Sequence, residues 1–178
     1  MLRQVPNLLT LLRILLVPVV WKLLWDREYE RAIVVGFVAT ITDALDGWLA
    51  RKLKAESRFG AYMDPVADKL LLSGSYLIFG LDGVIPGWLM YAVLGRDILI
   101  LVFALLARLF TNLRDFPPSA LGKLSTFIQI ITGLVILINA SLGGDIYTHR
   151  LKQWSEWICL AVTAWSGLHY LYTGIGMW

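Results

Sequence analysis

Apolar residues dominate this chain in long runs, and polar residues fall into short clusters between them. The runs predict six helices: about 6–25, 32–53, 59–81, 88–110, 119–140 and 154–172. Each is close to the ~20 residues that span a bilayer core. The breaks carry turn chemistry. Asp26-Arg-Glu-Tyr-Glu-Arg31 is a charged turn, and Asp82-Gly-Val-Ile-Pro-Gly87 holds Gly and Pro breakers. Thr111–Pro118 ends in Pro-Pro, and Gly143–Arg150 reads as a loop. Pro6 suits a helix start, where a missing N–H does no harm.

Composition sharpens this picture. Of 178 residues, 58% are hydrophobic and 16% charged, with mean hydropathy +0.68. These values favour an integral membrane protein over a soluble domain. The expected fold is all-α, with six transmembrane helices in one domain, 1–178. The apolar run near the N-terminus continues to Trp25 with no small-residue cleavage site, so we read no signal peptide. There is no internal repeat. One cysteine, Cys159, excludes an internal disulfide.

Charge placement predicts orientation. Arg51, Lys52, Lys54 and Arg58 against Glu56 make the 51–58 segment net +3. The 26–31 turn is net −1: Arg27 and Arg31 against Asp26, Glu28 and Glu30. Positive-inside places the 51–58 connection, and both termini, in the cytoplasm. Arg150 and Lys152 run against this, since they fall on the predicted outer side.

Four carboxylates break the apolar pattern within 26 residues: Asp43, Asp46, Asp64 and Asp68. They are spaced three apart and four apart, so on helices each pair shares a face. Carboxylates in hydrocarbon are costly unless paired, metal-bound or facing water. Hard oxygen ligands with open positions suit Mg²⁺ or Mn²⁺. Gly47 and Arg51 continue the stripe of Asp43, and Gly60 precedes Asp64 and Asp68 at four-residue spacing. Glycine permits close approach of backbone to ligand. Arginine grips phosphate through its planar fork. Together they describe a pyrophosphate site at one membrane face. The plainer reading is helix-end charge paired with Arg51, Arg58 and Lys69, which does not account for all four acids in this arrangement.

Other polar residues have two readings. Asn7 and Thr10, with Arg13, line one side of the first helix, as local caps or as a ligand-facing edge. Arg96, Arg108, Arg114 and Lys123 are candidates for a phosphate on a second substrate. For Arg108 and Arg114 the plain alternative is membrane anchoring. For Arg96 it is an ion pair with Asp97 or a neighbouring helix.

The segment Asp43-x-x-Asp46-Gly47-x-x-Ala50-Arg51-x8-Gly60-x3-Asp64-x3-Asp68 resembles the signature of the CDP-alcohol phosphotransferases at every fixed position. Pro6-Asn7-x-x-Thr10-x-x-Arg13, Gly95-Arg96-Asp97 and Gly122-Lys123-x-x-Thr126-x-x-Gln129 extend the resemblance. They are similar to segments of the bacterial phosphatidylglycerophosphate synthases and the CMP-forming cardiolipin synthases. The resemblance implies six transmembrane helices, a homodimer and two metal ions near the cytoplasmic face of a bacterial inner membrane. It implies metal binding by Asp43, Asp46, Asp64 and Asp68, with Asp68 also the base. It implies CDP-lipid contacts at Gly47, Arg51, Ser57 and Gly60, and at Asn7 and Thr10.

The implied reaction moves a phosphatidyl group from CDP-diacylglycerol to an acceptor hydroxyl and releases CMP. Arg96-Asp97 and the Pro118–Lys123 segment look more like the cardiolipin synthases, so glycerol 3-phosphate and phosphatidylglycerol both stand as acceptors, with inositol phosphate or serine behind them. A cation transporter would use the acids but leaves Gly47, Arg51 and Gly60 unexplained. A non-catalytic scaffold needs no full set of acids. Nothing in the chain points to nucleic acid.

Overall fold

The computed structural model describes the backbone of residues 5–53, 58–110 and 120–175, and the side chains of residues 12, 14–42, 67–103 and 120–172. Among these residues every regular element is helical. The helices are α1 (Val5–Trp25), α2 (Tyr29–Leu53), α3 (Arg58–Leu81), α4 (Gly87–Phe110), α5 (Ala120–Ser141) and α6 (Ile146–Ile175). They form two compact units, Met1–Ile78 and Phe79–Trp178.

Three described turns share one device. At the end of α1, Glu28 N–H donates to the Leu23 carbonyl at 2.8 Å and Arg27 N–H to that of Leu24 at 3.1 Å. At the end of α3, Val84 N–H reaches Phe79 at 2.8 Å and Gly83 N–H reaches Gly80 at 3.3 Å. At the end of α5, Gly144 N–H reaches Asn139 at 3.0 Å. These bonds satisfy last-turn carbonyls and need a left-handed residue after the helix. Gly83 and Gly143 supply it at φ 72° and 73°, but after α1 the residue is Arg27, at φ 60°.

This device moves two boundaries. The turn before α2 closes by Glu28, so α2 begins at Tyr29, three residues earlier than expected. The expected loop 143–150 contracts to a turn. Gly143 and Gly144 stop α5, and the Asp145 carbonyl accepts from His149 N–H at 2.8 Å, so α6 starts at Ile146.

In the first unit α1 packs on α2. Val17, Val20 and Leu24 are buried, as are Ala32 and Ala39 of α2. Gly74 of α3 lets the Trp21 indole lie on its backbone, where any side chain would overlap the ring.

In the second unit the usual polarity is inverted. The buried face of α5 is Gly122, Ser125, Gln129, Thr132, Gly133, Ile136 and Asn139. Its exposed face includes Leu124, Phe127, Ile130, Leu134 and Ile138. Helix α6 likewise buries Glu156, Thr163 and Ser166 while exposing Trp154, Trp157, Trp165 and Leu168. A helix in water buries its apolar stripe instead. Small and polar residues at a helix interface allow close approach and hydrogen bonds between helices, as in membrane bundles.

The bonds are specific. Gln129 Nε2 donates to Thr163 Oγ1 at 3.1 Å, and Ser125 Oγ lies 3.4 Å from the same hydroxyl. Thr132 Oγ1 donates to the Ser155 carbonyl at 3.2 Å. A largely buried pair, Lys152–Glu156, sits one turn apart in α6 at 3.5 Å. The rings of Trp88 and Trp157 stack with centroids 5.0 Å apart, tying the start of α4 to α6. Among the described residues, α5 is the helix long and apolar enough to cross a membrane by length and composition.

Two outcomes follow from this packing. Arg27→Gly relieves left-handed backbone strain at an exposed position. It is expected to raise stability by on the order of 1 kcal/mol, read as a higher thermal midpoint in detergent. Thr163→Val keeps the shape but removes the hydroxyl that Gln129 and Ser125 share. It is expected to cost about 1 kcal/mol, read as a lower midpoint with unchanged helical content.

Candidate active site

The four-carboxylate motif rests on two helices. The backbone of α2 is helical through Asp43, Asp46, Gly47 and Arg51, and ends at Leu53. The backbone of α3 is helical from Arg58 through Gly60, Asp64 and Asp68. The expected spacing is therefore realised as helical register: three- and four-residue steps fall on one side of each helix. The motif occupies the last turns of α2 and the first turns of α3, so its two halves flank a short connection.

The side chains of Asp43, Asp46, Gly47, Arg51, Gly60 and Asp64 lie outside the described residues, as does the whole of Ser57. Asp68 is described, and it is exposed on α3, next to the half-buried Lys69. Asn7 and Thr10 lie in the first turns of α1, with side chains outside the described set. Among the described residues no group of three His, Cys, Asp or Glu side chains could hold a metal, and three of the four motif aspartates are not in that set. The chemistry of the donors nonetheless fits a hard divalent cation. They are carboxylates only, in pairs on helical register, and the one described is open to solvent.

The basic candidates separate by burial. Arg96 is buried, 6% exposed. Its Nη1 donates to Asp97 Oδ1 at 2.8 Å, and its Nη2 donates to the Gly122 carbonyl at 2.9 Å. Ser166 Oγ lies 3.5 Å from Nη2. Neighbouring helical residues do not face each other; here the long arginine side chain folds back to meet Asp97. Lys123, the next residue after Gly122, is exposed. Arg108 is on the α4 backbone with its side chain outside the described residues, and Arg114 lies outside them entirely.

The polar series on α5 divides in the same way. Thr126 Oγ1 donates back to Gly122 at 3.1 Å and Gln129 pairs with Thr163, which leaves Lys123 as the member presented to solvent. Sequence reading missed Ser166 and the Gly122 carbonyl as partners of Arg96. A backbone acceptor leaves no mark in residue identity, and a serine 70 positions from Arg96 shares no spacing with it.

A separate groove of about 490 Å³ runs along α6, lined by Leu121, Ala164, Trp165, Leu168, His169 and Tyr172 among others. Its mainly apolar walls suit hydrocarbon rather than a nucleotide, and it holds none of the motif acids.

Comparison with known proteins gives the same direction. The profile of the CDP-alcohol phosphatidyltransferase family matches residues 3–165. The chain is 30% identical to a cardiolipin synthase (CMP-forming) of Rattus norvegicus, over 93% of its own length and 61% of the rat protein's. It is 27% identical to a CDP-diacylglycerol--glycerol-3-phosphate 3-phosphatidyltransferase of Bacillus subtilis, over 94% of its length and 93% of that protein's. A probable phosphatidylglycerophosphate synthase of Mycobacterium tuberculosis is 34% identical over 93% of this chain and 78% of its own. The chain thus spans less than two thirds of the rat relative and nearly all of the Bacillus one. No solved structure matches. A match over residues 3–165 includes the complete aspartate motif on α2 and α3, and the chain belongs to the CDP-alcohol phosphatidyltransferase family.

Proposed function

We propose that this protein transfers the phosphatidyl group of CDP-diacylglycerol to an acceptor hydroxyl and releases CMP, with glycerol 3-phosphate or phosphatidylglycerol as acceptor. The observation that carries this is the intact Asp43–Asp68 motif on two helices within the family match. Both acceptors stand because relatives of both kinds match over more than nine tenths of this chain. The inverted polarity of α5 and α6 supports a bilayer-embedded chain. We read all six helices as spans, the 51–58 connection as cytoplasmic, the membrane as a bacterial inner membrane and the working unit as a homodimer.

Asp43, Asp46, Asp64 and Asp68 would hold two divalent cations, Mg²⁺ or Mn²⁺. These would supply neutralising charge to the pyrophosphate and its departing oxygen. Arg51 grips the pyrophosphate through paired N–H donors, and Gly47 and Gly60 let it approach the helix backbones. Asn7, Thr10 and Ser57 complete the nucleotide contacts. Asp68 takes the proton from the acceptor hydroxyl. The freed oxygen attacks the phosphorus that carries diacylglycerol, the bond from that phosphorus to the CMP oxygen breaks, and CMP departs into water. The acyl chains stay in lipid throughout. Lys123, with Arg108 and Arg114, holds the acceptor's anionic group.

Asp43→Asn and Asp64→Asn replace charged ligands by neutral amides. CMP release from CDP-diacylglycerol in detergent is expected to fall to near background at limiting Mg²⁺; full activity there would end the metal-ligand reading. Asp68→Asn is expected to keep donor binding and lose about 10²–10⁴-fold in single-turnover CMP release. Near-normal release would remove it from the base role.

Arg51→Lys keeps the charge but loses the fork. The expected result is a raised donor KM with the acceptor KM little changed, measured with both acceptors and products resolved by mass. The reverse pattern would move Arg51 to the acceptor. Failure of both acceptors, with inositol phosphate or serine turned over instead, would keep the chemistry and change the product.

A further inference from the structure

Arg96 lies within the helix packing of the second unit. Its guanidinium is held by its two terminal nitrogens, one on Asp97 and one on the Gly122 carbonyl. Among the described residues nothing accepts from Nε, so the orientation of the plane rests on those two bonds and the longer approach to Ser166. The Gly122 carbonyl lies in the first turn of α5, where it also takes the Thr126 hydroxyl. Carbonyls at the start of a helix already accept an N–H from within the helix. The bond from Arg96 therefore does not cap an orphan group; it fastens the first turn of α5 to α4. The residue fastened with it is Lys123, adjacent to Gly122 and exposed.

We propose that the Arg96–Asp97 pair is a positioning device for the acceptor. By gripping the Gly122 carbonyl it sets the first turn of α5, and so the ammonium of Lys123 that holds the acceptor's anionic group. This rests on the reading of Lys123 given above and deepens it. Asp97 aims the guanidinium through Nη1, and the planar fork is what allows one side chain to serve Asp97 and Gly122 together. A lysine has the charge but not the fork, and cannot make both bonds in that geometry. Arg96 is thus a positioning residue that acts through Lys123, whereas an acceptor contact of its own would call for an open guanidinium.

A double-mutant cycle tests this, because residues acting through one another are not additive. Wild type, Lys123→Ala, Arg96→Lys and the double variant are assayed in detergent with CDP-diacylglycerol and the acceptor that wild type turns over, glycerol 3-phosphate or phosphatidylglycerol. Lys123→Ala is expected to raise the acceptor KM about tenfold, the scale of one lost charge-assisted bond. Arg96→Lys is expected to raise it by a similar factor with donor KM within about twofold of wild type, and the double variant to be no worse than Lys123→Ala.

Effects that multiply in the double variant would overturn the proposal, as would a lower thermal midpoint in Arg96→Lys with an unchanged acceptor KM. An unchanged acceptor KM in Lys123→Ala would overturn the role of Lys123, and this inference with it, while leaving the donor chemistry standing. If Arg96→Lys does not fold, Asp97→Asn takes its place in the cycle. That variant keeps the volume and removes the charge that aims the guanidinium, so the same outcomes decide.

Discussion

Hydrogen bonds between buried polar groups hold the packing of the second unit. Leaving such a group without a partner costs about 1–3 kcal/mol, more than the roughly 1 kcal/mol that a satisfied bond contributes. Helices α5 and α6 turn their polar sides toward each other, and Gln129, Ser125 and Thr132 are paired across that seam. Arg96 extends the seam to α4 with a full charge, which is tolerated because Asp97 neutralises it and Gly122 accepts from it. The apolar residues left outside, Phe127, Ile130, Trp165 and Leu168 among them, then form a surface suited to hydrocarbon.

The chemistry obeys a simpler rule. An α-helix returns to the same side after three or four residues, so two short helical stretches suffice to present four carboxylates, two glycines and an arginine as two stripes. No long-range contact is needed to make a stripe. Such a motif therefore depends on the register of two helices alone. The turns help for the same reason. Tight caps after α1 and α3, built on Arg27 and Gly83, fix where the motif helices begin and end with few residues spent on loops.

The proposed donor and acceptor sites differ in kind. The proposed donor site is a linear pattern on α2 and α3. The acceptor candidates are basic residues on α4, on α5 and between them, and a basic residue takes its role from its surroundings. Arg96 is enclosed and engaged, and Lys123 is open. Two positions that look alike as cationic side chains thus divide into one that holds the scaffold and one that is free to meet an anion.

The helices, their order and the carboxylate motif were legible in the sequence because each depends on local periodicity. Six apolar runs correspond to six helices among the described residues, with ends displaced where backbone conformation rather than hydropathy sets the stop. Arg27 at positive φ and the Gly143-Gly144 pair moved the starts of α2 and α6 to Tyr29 and Ile146. The family, too, could be read from residues 43–68, because that segment resembles the family's signature at every fixed position. Only the tertiary structure decided which polar residues face inward. Thr126 and Gln129 share their spacing with Lys123, yet they bond to Gly122 and Thr163 while Lys123 does not join that seam. Spacing names a face of a helix, but whether that face meets another helix or the surroundings is set by packing partners tens of residues away, as Ser166 is from Arg96.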